Sequence, residues 1–172
     1  MKILIVSDTH RINENLFRVM RLVGSADYLL HCGDVEGSED EIFDAARGRF
    51  GTVKIVSGNN DFFSALPVEE EFRIGKYNIW MTHGHHYGVS MGHEKILEEA
   101  ASRGDDIVIF GHTHSPVIKR EGNIVLLNPG SLTHPRQAGR LPSFILMEID
   151  RFGEAHYNID FLRGNEIVQK PE

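Results

Sequence analysis

Among its 172 residues the chain has one cysteine, one tryptophan and no apolar run approaching the roughly 20 residues a helix needs to cross a bilayer. The lone Cys32 cannot close an internal disulfide, so nothing here calls for an oxidising compartment. The longest apolar runs, 3–6 and 107–110, are of strand length, and the first residues lack the extended apolar segment of a signal peptide. The expected location is the cytoplasm, with no membrane among the partners. Positive charge is scarce as well: 18 Lys and Arg face 25 Asp and Glu, a net charge of −7, whereas a surface for duplex nucleic acid carries the opposite sign. Internal repeats, low-complexity stretches and long linkers are absent. Hydrophobic residues at 41% and charged residues at 25% are close to globular averages and exclude disorder and fibrous repeats, so one domain is expected over 1–172.

Histidine is plentiful, at ten residues, and its positions decide what it does. Residues 1–6 are apolar and β-branched and break into Ser7-Asp8-Thr9-His10, as a buried strand does when it delivers polar side chains at its carboxyl end. Leu16, Val19, Met20 and Val23 recur at helical spacing, predicting a helix over 15–22 that Gly24 stops. A second strand over 28–32 breaks at Gly33-Asp34. Ser38 followed by Glu41 has the capping-box pattern of a helix start. A third strand, 53–56, runs into Gly58-Asn59-Asn60-Asp61, and 71–74 with 77–81 flank Gly75-Lys76 as a hairpin that ends at Thr82-His83-Gly84-His85-His86. A helix over 94–101 precedes a strand over 107–110 and then Gly111-His112-Thr113-His114. Two more antiparallel pairs are expected, 118–120 with 124–127 and 143–150 with 155–161. Between them the Gly/Pro-punctuated stretch 128–141 reads as a surface loop. The early β-α-β-α-β order predicts a layered α/β fold, and the hairpins make its sheet mixed.

Ligands of open α/β sheets collect beyond the carboxyl ends of strands, and five such ends here carry Asp, Asn or His. Asp8 and His10, two apart on an extended backbone, share a face and can meet one cation. Gly33 lets the chain turn sharply and bring the Asp34 carboxylate to the same point, where its two oxygens can bridge two ions. Gly111-His112-x-His114 aims two imidazoles at one small volume, and His83 adds another from a separate strand. Each motif alone is more ordinary as turn chemistry; all five in order are hard to obtain that way. Oxygen and nitrogen donors without thiolate suit borderline divalent ions.

The ordered series Asp8-x-His10, Gly33-Asp34, Gly58-Asn59-x-Asp61, His83-Gly84 and Gly111-His112-x-His114, followed by Asn128-Pro129-Gly130-Ser131, resembles the calcineurin-like metallophosphoesterases, specifically their small bacterial and archaeal phosphodiesterase branch. The resemblance implies a four-layer αββα sandwich of two mixed β-sheets. It implies that Asp8, His10 and His114 hold one metal ion, that Asn59, His83 and His112 hold a second, and that Asp34 bridges them. Manganese is favoured, with nickel, iron, zinc or cobalt as alternatives. Two divalent cations outweigh the charges of Asp8, Asp34 and a bridging hydroxide, so the pocket is positive within an acidic protein, suited to hydrolysing a small phosphodiester by attack of that hydroxide.

Asn60 stands where many phosphatases of this superfamily have a proton-donating histidine. Asparagine has no such proton to give and is expected only to contact substrate, which favours diesters with good leaving groups over monoesters. Asp61 is expected to orient a neighbouring ligand without touching metal. His85 and His86 read as polar loop, His93 as solvated, and His31 with Cys32 as a buried strand terminus. Arg136 is a candidate donor to a phosphate oxygen. Competing readings are a protein-interaction scaffold resembling the small subunit of retromer and a small metal-dependent nuclease. The family resemblance also suggests a homodimer or homotetramer.

Overall fold

The computed structural model describes residues 1–169. In chain order its elements are β1 (Lys2–Val6), α1 (Glu14–Val23), β2 (Ala26–His31), α2 (Glu39–Ala46), β3 (Phe50–Ile55), β4 (Glu69–Ile74), β5 (Tyr77–Thr82), a 3-10 turn (His85–Tyr87), α3 (Glu94–Arg103), β6 (Ile107–Ile109), β7 (Pro116–Glu121), β8 (Ile124–Pro129), β9 (Ser143–Ile149), β10 (Ala155–Arg163) and β11 (Glu166–Val168). One sheet has the order β11-β10-β9-β1-β2-β3 and the other β4-β5-β6-β8-β7. In the first, β1, β2 and β3 are parallel and β9 joins β1 antiparallel. In the second, β5, β6 and β8 are parallel, with β4 and β7 antiparallel at the edges. Both sheets are therefore mixed.

Three apolar clusters fill the spaces between four layers, and period-2 alternation along each strand assigns residues to them. Ile3, Ile5, Leu30, Met81, Ile109 and Ile145 meet between the two sheets. Their strand neighbours Leu4, Val6, Leu29 and Phe144 face the other way and pack with Leu16, Val19, Met20 and Val23 of α1 and Ile42 of α2. On the far side Trp80, Val108, Phe110 and Leu126 close against Ile96 and Ala100 of α3. Strands buried on both faces have no polar alternate positions, which is why they read as continuous apolar runs. Each fully buried Leu, Ile or Val adds on the order of 1.5–3 kcal/mol, which makes this double burial the main stabiliser of the frame.

Several details depart from expectation. The stretch 128–141 is not simply a surface loop: β8 continues through Pro129, and residues 128–132 are buried. Their polar groups are satisfied internally, since the Asn128 amide donates to Gly111 O at 2.8 Å and to Thr113 Oγ1 at 3.0 Å while its oxygen accepts from the Gly130 N–H. The capping box does not form, because the Ser38 hydroxyl donates to Val35 O at 2.7 Å and Glu41 accepts from Asn13 instead. His93 is half-buried, its ring centre 5.5 Å from that of Phe110, rather than solvated. β11 lies beyond the strands expected from the pattern. Among the described residues no helix is long and apolar enough to cross a membrane.

Candidate metal centre

The parallel strands of both sheets deliver their carboxyl ends to one place, and backbone groups lock those ends together. The Asp8 N–H donates to Gly33 O at 3.1 Å and the Gly111 N–H to His83 O at 3.1 Å within the sheets. Across them, the Ser131 hydroxyl donates to Asp8 O at 2.8 Å and the His112 N–H to Asp8 Oδ2 at 3.2 Å. Such approach leaves no room for side chains at two glycines. A Cβ on Gly58 would run into the Asp34 carboxylate, and one on Gly111 would meet Ser7 Oγ and sit 2.9 Å from Asp8 Oδ2.

The turns that follow these strands are strained where the expected ligands sit. Asp8, His10, Asp34, His112 and His114 have φ of 55°, 46°, 57°, 68° and 57°, in the left-handed region that costs a residue with a Cβ about 1–2 kcal/mol. More than half of the nine non-glycine residues with positive φ among those described are thus expected ligands. The left-handed turns thus coincide with the expected ligands.

Ligand atoms of Asp8, His10, Asp34 and His114 all lie within 4.8 Å of one another. His10 Nε2 is 3.3 Å from His114 Nε2 and 3.9 Å from both Asp8 Oδ1 and Asp34 Oδ2, and His114 Nε2 is 3.1 Å from Asp8 Oδ1. The other three expected ligands form an adjoining group, with Asn59 Oδ1 at 3.1 Å from His83 Nε2 and 2.9 Å from His112 Nδ1. Asp34 Oδ2 is 3.6 Å from His83 Nε2 and so touches both groups. All seven residues are brought together.

The donor set fits divalent cations. His114 Nδ1 donates to His134 O at 2.8 Å and His83 Nδ1 to Cys32 O at 2.7 Å, while His10 Nδ1 contacts Glu36 Oε1 at 2.8 Å. An imidazole whose Nδ1–H donates to a carbonyl or carboxylate can present a lone pair at Nε2, so three Nε2 atoms are turned toward the cluster where a cation could take them. Asp8 Oδ1 is buried and, although close to His114, receives no hydrogen bond of acceptable geometry. Burial works against a charged Asp8, yet contact with His114 and the field of His83 outweigh it and hold its pKa below the usual carboxylate value. Burial likewise opposes a charged His114, but the Asp8 carboxylate prevails and raises its pKa, so this point favours positive charge. His112 is shifted down, by burial first and then by His83.

Supporting groups account for the remaining predicted positions. Asp61 is nearly buried, and its carboxylate accepts three backbone N–H groups: Glu36 at 2.6 Å, Asp34 at 2.8 Å and Gly58 at 2.7 Å. It braces the turn that carries Asp34. Asn60 donates its backbone N–H to Asp34 Oδ1 at 2.9 Å and its amide to Oδ2 at 2.8 Å. His31 is buried, accepts the Gly33 N–H on Nδ1 at 3.2 Å and so turns an Nε2–H toward Thr9 Oγ1 at 3.1 Å; burial takes its pKa down to about 4. Burial also pushes the Cys32 thiol up, and Cys32 serves the site through its carbonyl alone. His85 lies against His86 with ring centres 3.9 Å apart and the planes tilted by 39°, and burial followed by the neighbouring imidazoles takes its pKa down to about 4. Sequence reasoning missed Glu36 and His134. Neither sits in a motif, and only the spacing of Glu36 two residues after Asp34 hinted at a role.

A four-layer frame thus gathers carboxylate and imidazole groups at its strand ends, where they could hold a divalent metal ion. The calcineurin-like phosphoesterase superfamily domain matches residues 1–151, and the chain belongs to that superfamily, whose members use divalent metals. A probable metallophosphoesterase of Bacillus subtilis is 32% identical over 171 residues, 97% of this chain and 95% of its own length. The crystal structure of a conserved protein from Streptococcus pneumoniae is 30% identical with a TM-score of 0.76, over 94% of this chain and 88% of that one. Zinc-complexed Vps29 from Entamoeba histolytica has a TM-score of 0.79 at 26% identity, over 98% of this chain and 96% of that one.

Proposed function

We propose that the protein is a metal-dependent phosphodiesterase acting on small diesters, with two divalent ions, one held by Asp8, His10 and His114 and the other by Asn59, His83 and His112, sharing Asp34. The observation that carries this reading is the place of Asp34, whose Oδ2 is 3.9 Å from His10 Nε2 and 3.6 Å from His83 Nε2. When bound, such ions neutralise charge on the phosphoryl oxygens and lower the pKa of a water. The chain's own residues position and polarise. Asp34 is fixed by Asn60 and by the Asp61 brace, and the imidazoles are held by Glu36 and the carbonyls of His134 and Cys32. Asn60 can hydrogen-bond to a phosphoryl oxygen but cannot protonate a departing alkoxide, so esters whose leaving group needs no proton are favoured, as are diesters over dianionic monoesters. The oxygen and nitrogen donors suit borderline ions, with manganese the first choice for reconstitution. The protein's acidic balance disfavours extended nucleic acid strands as substrates.

The test is chelation followed by Mn addition, with bis(p-nitrophenyl) phosphate and p-nitrophenyl phosphate assayed side by side. Activity lost on chelation and restored by Mn, with the diester turned over at least about tenfold faster, is expected, and Asp34→Ala should abolish metal retention while leaving the fold intact. A faster monoester, or activity indifferent to chelation, refutes the proposal. The likeness to Vps29 favours one alternative, a protein-interaction scaffold, and a chain that retains metal yet hydrolyses neither ester selects it.

A further inference from the structure

His10 lies between two cavities of opposite character. One, of about 360 Å³, is walled by Glu36, Gly37, Asn60 and Phe62, and its Glu36 carboxylate is the partner of His10 Nδ1. The other, of about 630 Å³, is walled by Thr133, His134, Pro135, Arg136 and Arg140, and its His134 ring centre is 5.1 Å from that of His10. The first wall is acidic and aromatic. The second carries two guanidinium groups and no carboxylate, in a protein of net charge −7. Neither Arg136 nor Arg140 forms an ion pair with any described residue, so both guanidinium groups are open to an anion from solution.

The loop that carries these arginines is anchored to the candidate metal ligands themselves. The Arg136 N–H donates to His114 O at 2.9 Å, and Thr133 Oγ1 donates to Thr9 O at 2.9 Å. Ser131 Oγ donates to Asp8 O and accepts the N–H groups of Thr133 and His134 at 3.1 and 2.8 Å. Farther on, the Gln137 amide donates to Leu141 O at 2.5 Å and the Arg140 N–H to Gln137 O at 3.1 Å. Exposed arginines on a wandering loop would be ordinary solubilising charge. Here the loop is tied to the backbone of Asp8, Thr9 and His114 beside the candidate metal centre, and a guanidinium fork matches a phosphate oxygen pair.

We infer that the substrates are diesters carrying a second phosphate on one ester arm, and that Arg136 and Arg140 bind that second phosphate while the other arm lies toward Asn60 and Phe62. The inference rests on the phosphodiesterase reading and adds a substrate class to it. Polarity follows from the two walls, because a phosphate placed on the Glu36 side would meet a carboxylate instead of a guanidinium.

Thymidine 5′-(p-nitrophenyl phosphate) and the same ester bearing a 3′-phosphate share one leaving group and differ only in the second phosphate. The expected result is a kcat/KM about tenfold or more higher for the 3′-phosphorylated ester, gained through KM, and a ratio below about threefold in the Arg136→Gln, Arg140→Gln double variant. Both arginines are exposed, so the variant should fold. Equal kcat/KM for the two esters, or an advantage that survives the double substitution, overturns the inference. If neither ester is hydrolysed, the diesterase reading fails by itself, and calorimetric binding of thymidine 3′,5′-bisphosphate to the same two proteins decides this one. Affinity about tenfold weaker in the double variant upholds it, and equal affinity overturns it.

Discussion

Asp61→Asn is the most informative single substitution, because it keeps the size of the side chain and removes one acceptor atom. Asp61 Oδ1 takes the Glu36 N–H, and Oδ2 takes those of Asp34 and Gly58. An amide keeps one oxygen, so at least one N–H faces an NH2 group whichever way the ring of contacts is satisfied. Hydrogen bonds to a charged group are worth about 1.5–3 kcal/mol, and a buried N–H left without a partner costs about 1–3 kcal/mol, which together place the loss near 3 kcal/mol. The strain stored at Asp34 and Glu36, with φ of 57° and 52°, adds to the tendency of that turn to relax once unbraced. Urea unfolding with chelator present checks this: with a slope of about 1–3 kcal/mol per molar, the midpoint should fall by about 1–3 M with the slope unchanged. Asp150→Asn is the control, since Asp150 accepts the Phe152 and Glu154 N–H groups in a solvent-exposed turn and its loss should be much smaller. A shift for Asp61→Asn no greater than that of the control would refute the claim that this carboxylate holds the metal-ligand turn in place.

Acid should weaken the fold through His31. Its pKa is about 4 folded and 6.5 unfolded, so below pH 6.5 the unfolded chain takes up a proton that the native state refuses; stability then falls between pH 6.5 and 4, by about 3 kcal/mol from this residue. The His31→Asn variant, compared with the native chain by urea midpoints from pH 7.5 to 4.5, should lose less on acidification, and parallel curves would contradict the account. Gly111→Ala places a methyl group against Ser7 Oγ and Asp8 Oδ2 at a backbone angle any residue tolerates, so its effect is contact alone. It should lower stability by about 1–3 kcal/mol and reduce the metal bound per chain measured by elemental analysis; native metal content and melting temperature would show that the approach is looser than drawn.

Much of the frame was legible because strands sandwiched between layers must be apolar at every position, so each one announces itself as an unbroken run ending in a polar break. The runs at 3–6 and 107–110 are of this kind, and α1 showed its buried stripe at Leu16, Val19, Met20 and Val23. Sheet order was not legible. Pairing of β1 with β9 joins Ile5 to Ile145, and no local pattern records which of several similar apolar runs lies alongside another. The segment after β8 misled for a different reason. Its Gly, Pro, Asn and Ser are the composition of a loop, yet those same polar groups are spent on the backbone of Asp8, Thr9 and Gly111, which buries them.

The expected ligands were found for a reason that also explains what was overlooked. Side chains that bind metal must be Asp, His or Asn, so they are visible as letters, whereas the groups that aim them can be any donor or acceptor within reach. His83 is aimed by the carbonyl of Cys32, His114 by that of His134, and a carbonyl is present at every residue. The left-handed turns at Asp8, His10, Asp34, His112 and His114 are equally invisible, since the residues that adopt them are not glycine. Such conformations are unfavourable locally and persist only because neighbouring strand ends over-determine them. The precision of the cluster is therefore a property of the two sheets together, and a perturbation that loosens their contact, even far from any ligand, should disperse the site before it unfolds the layers.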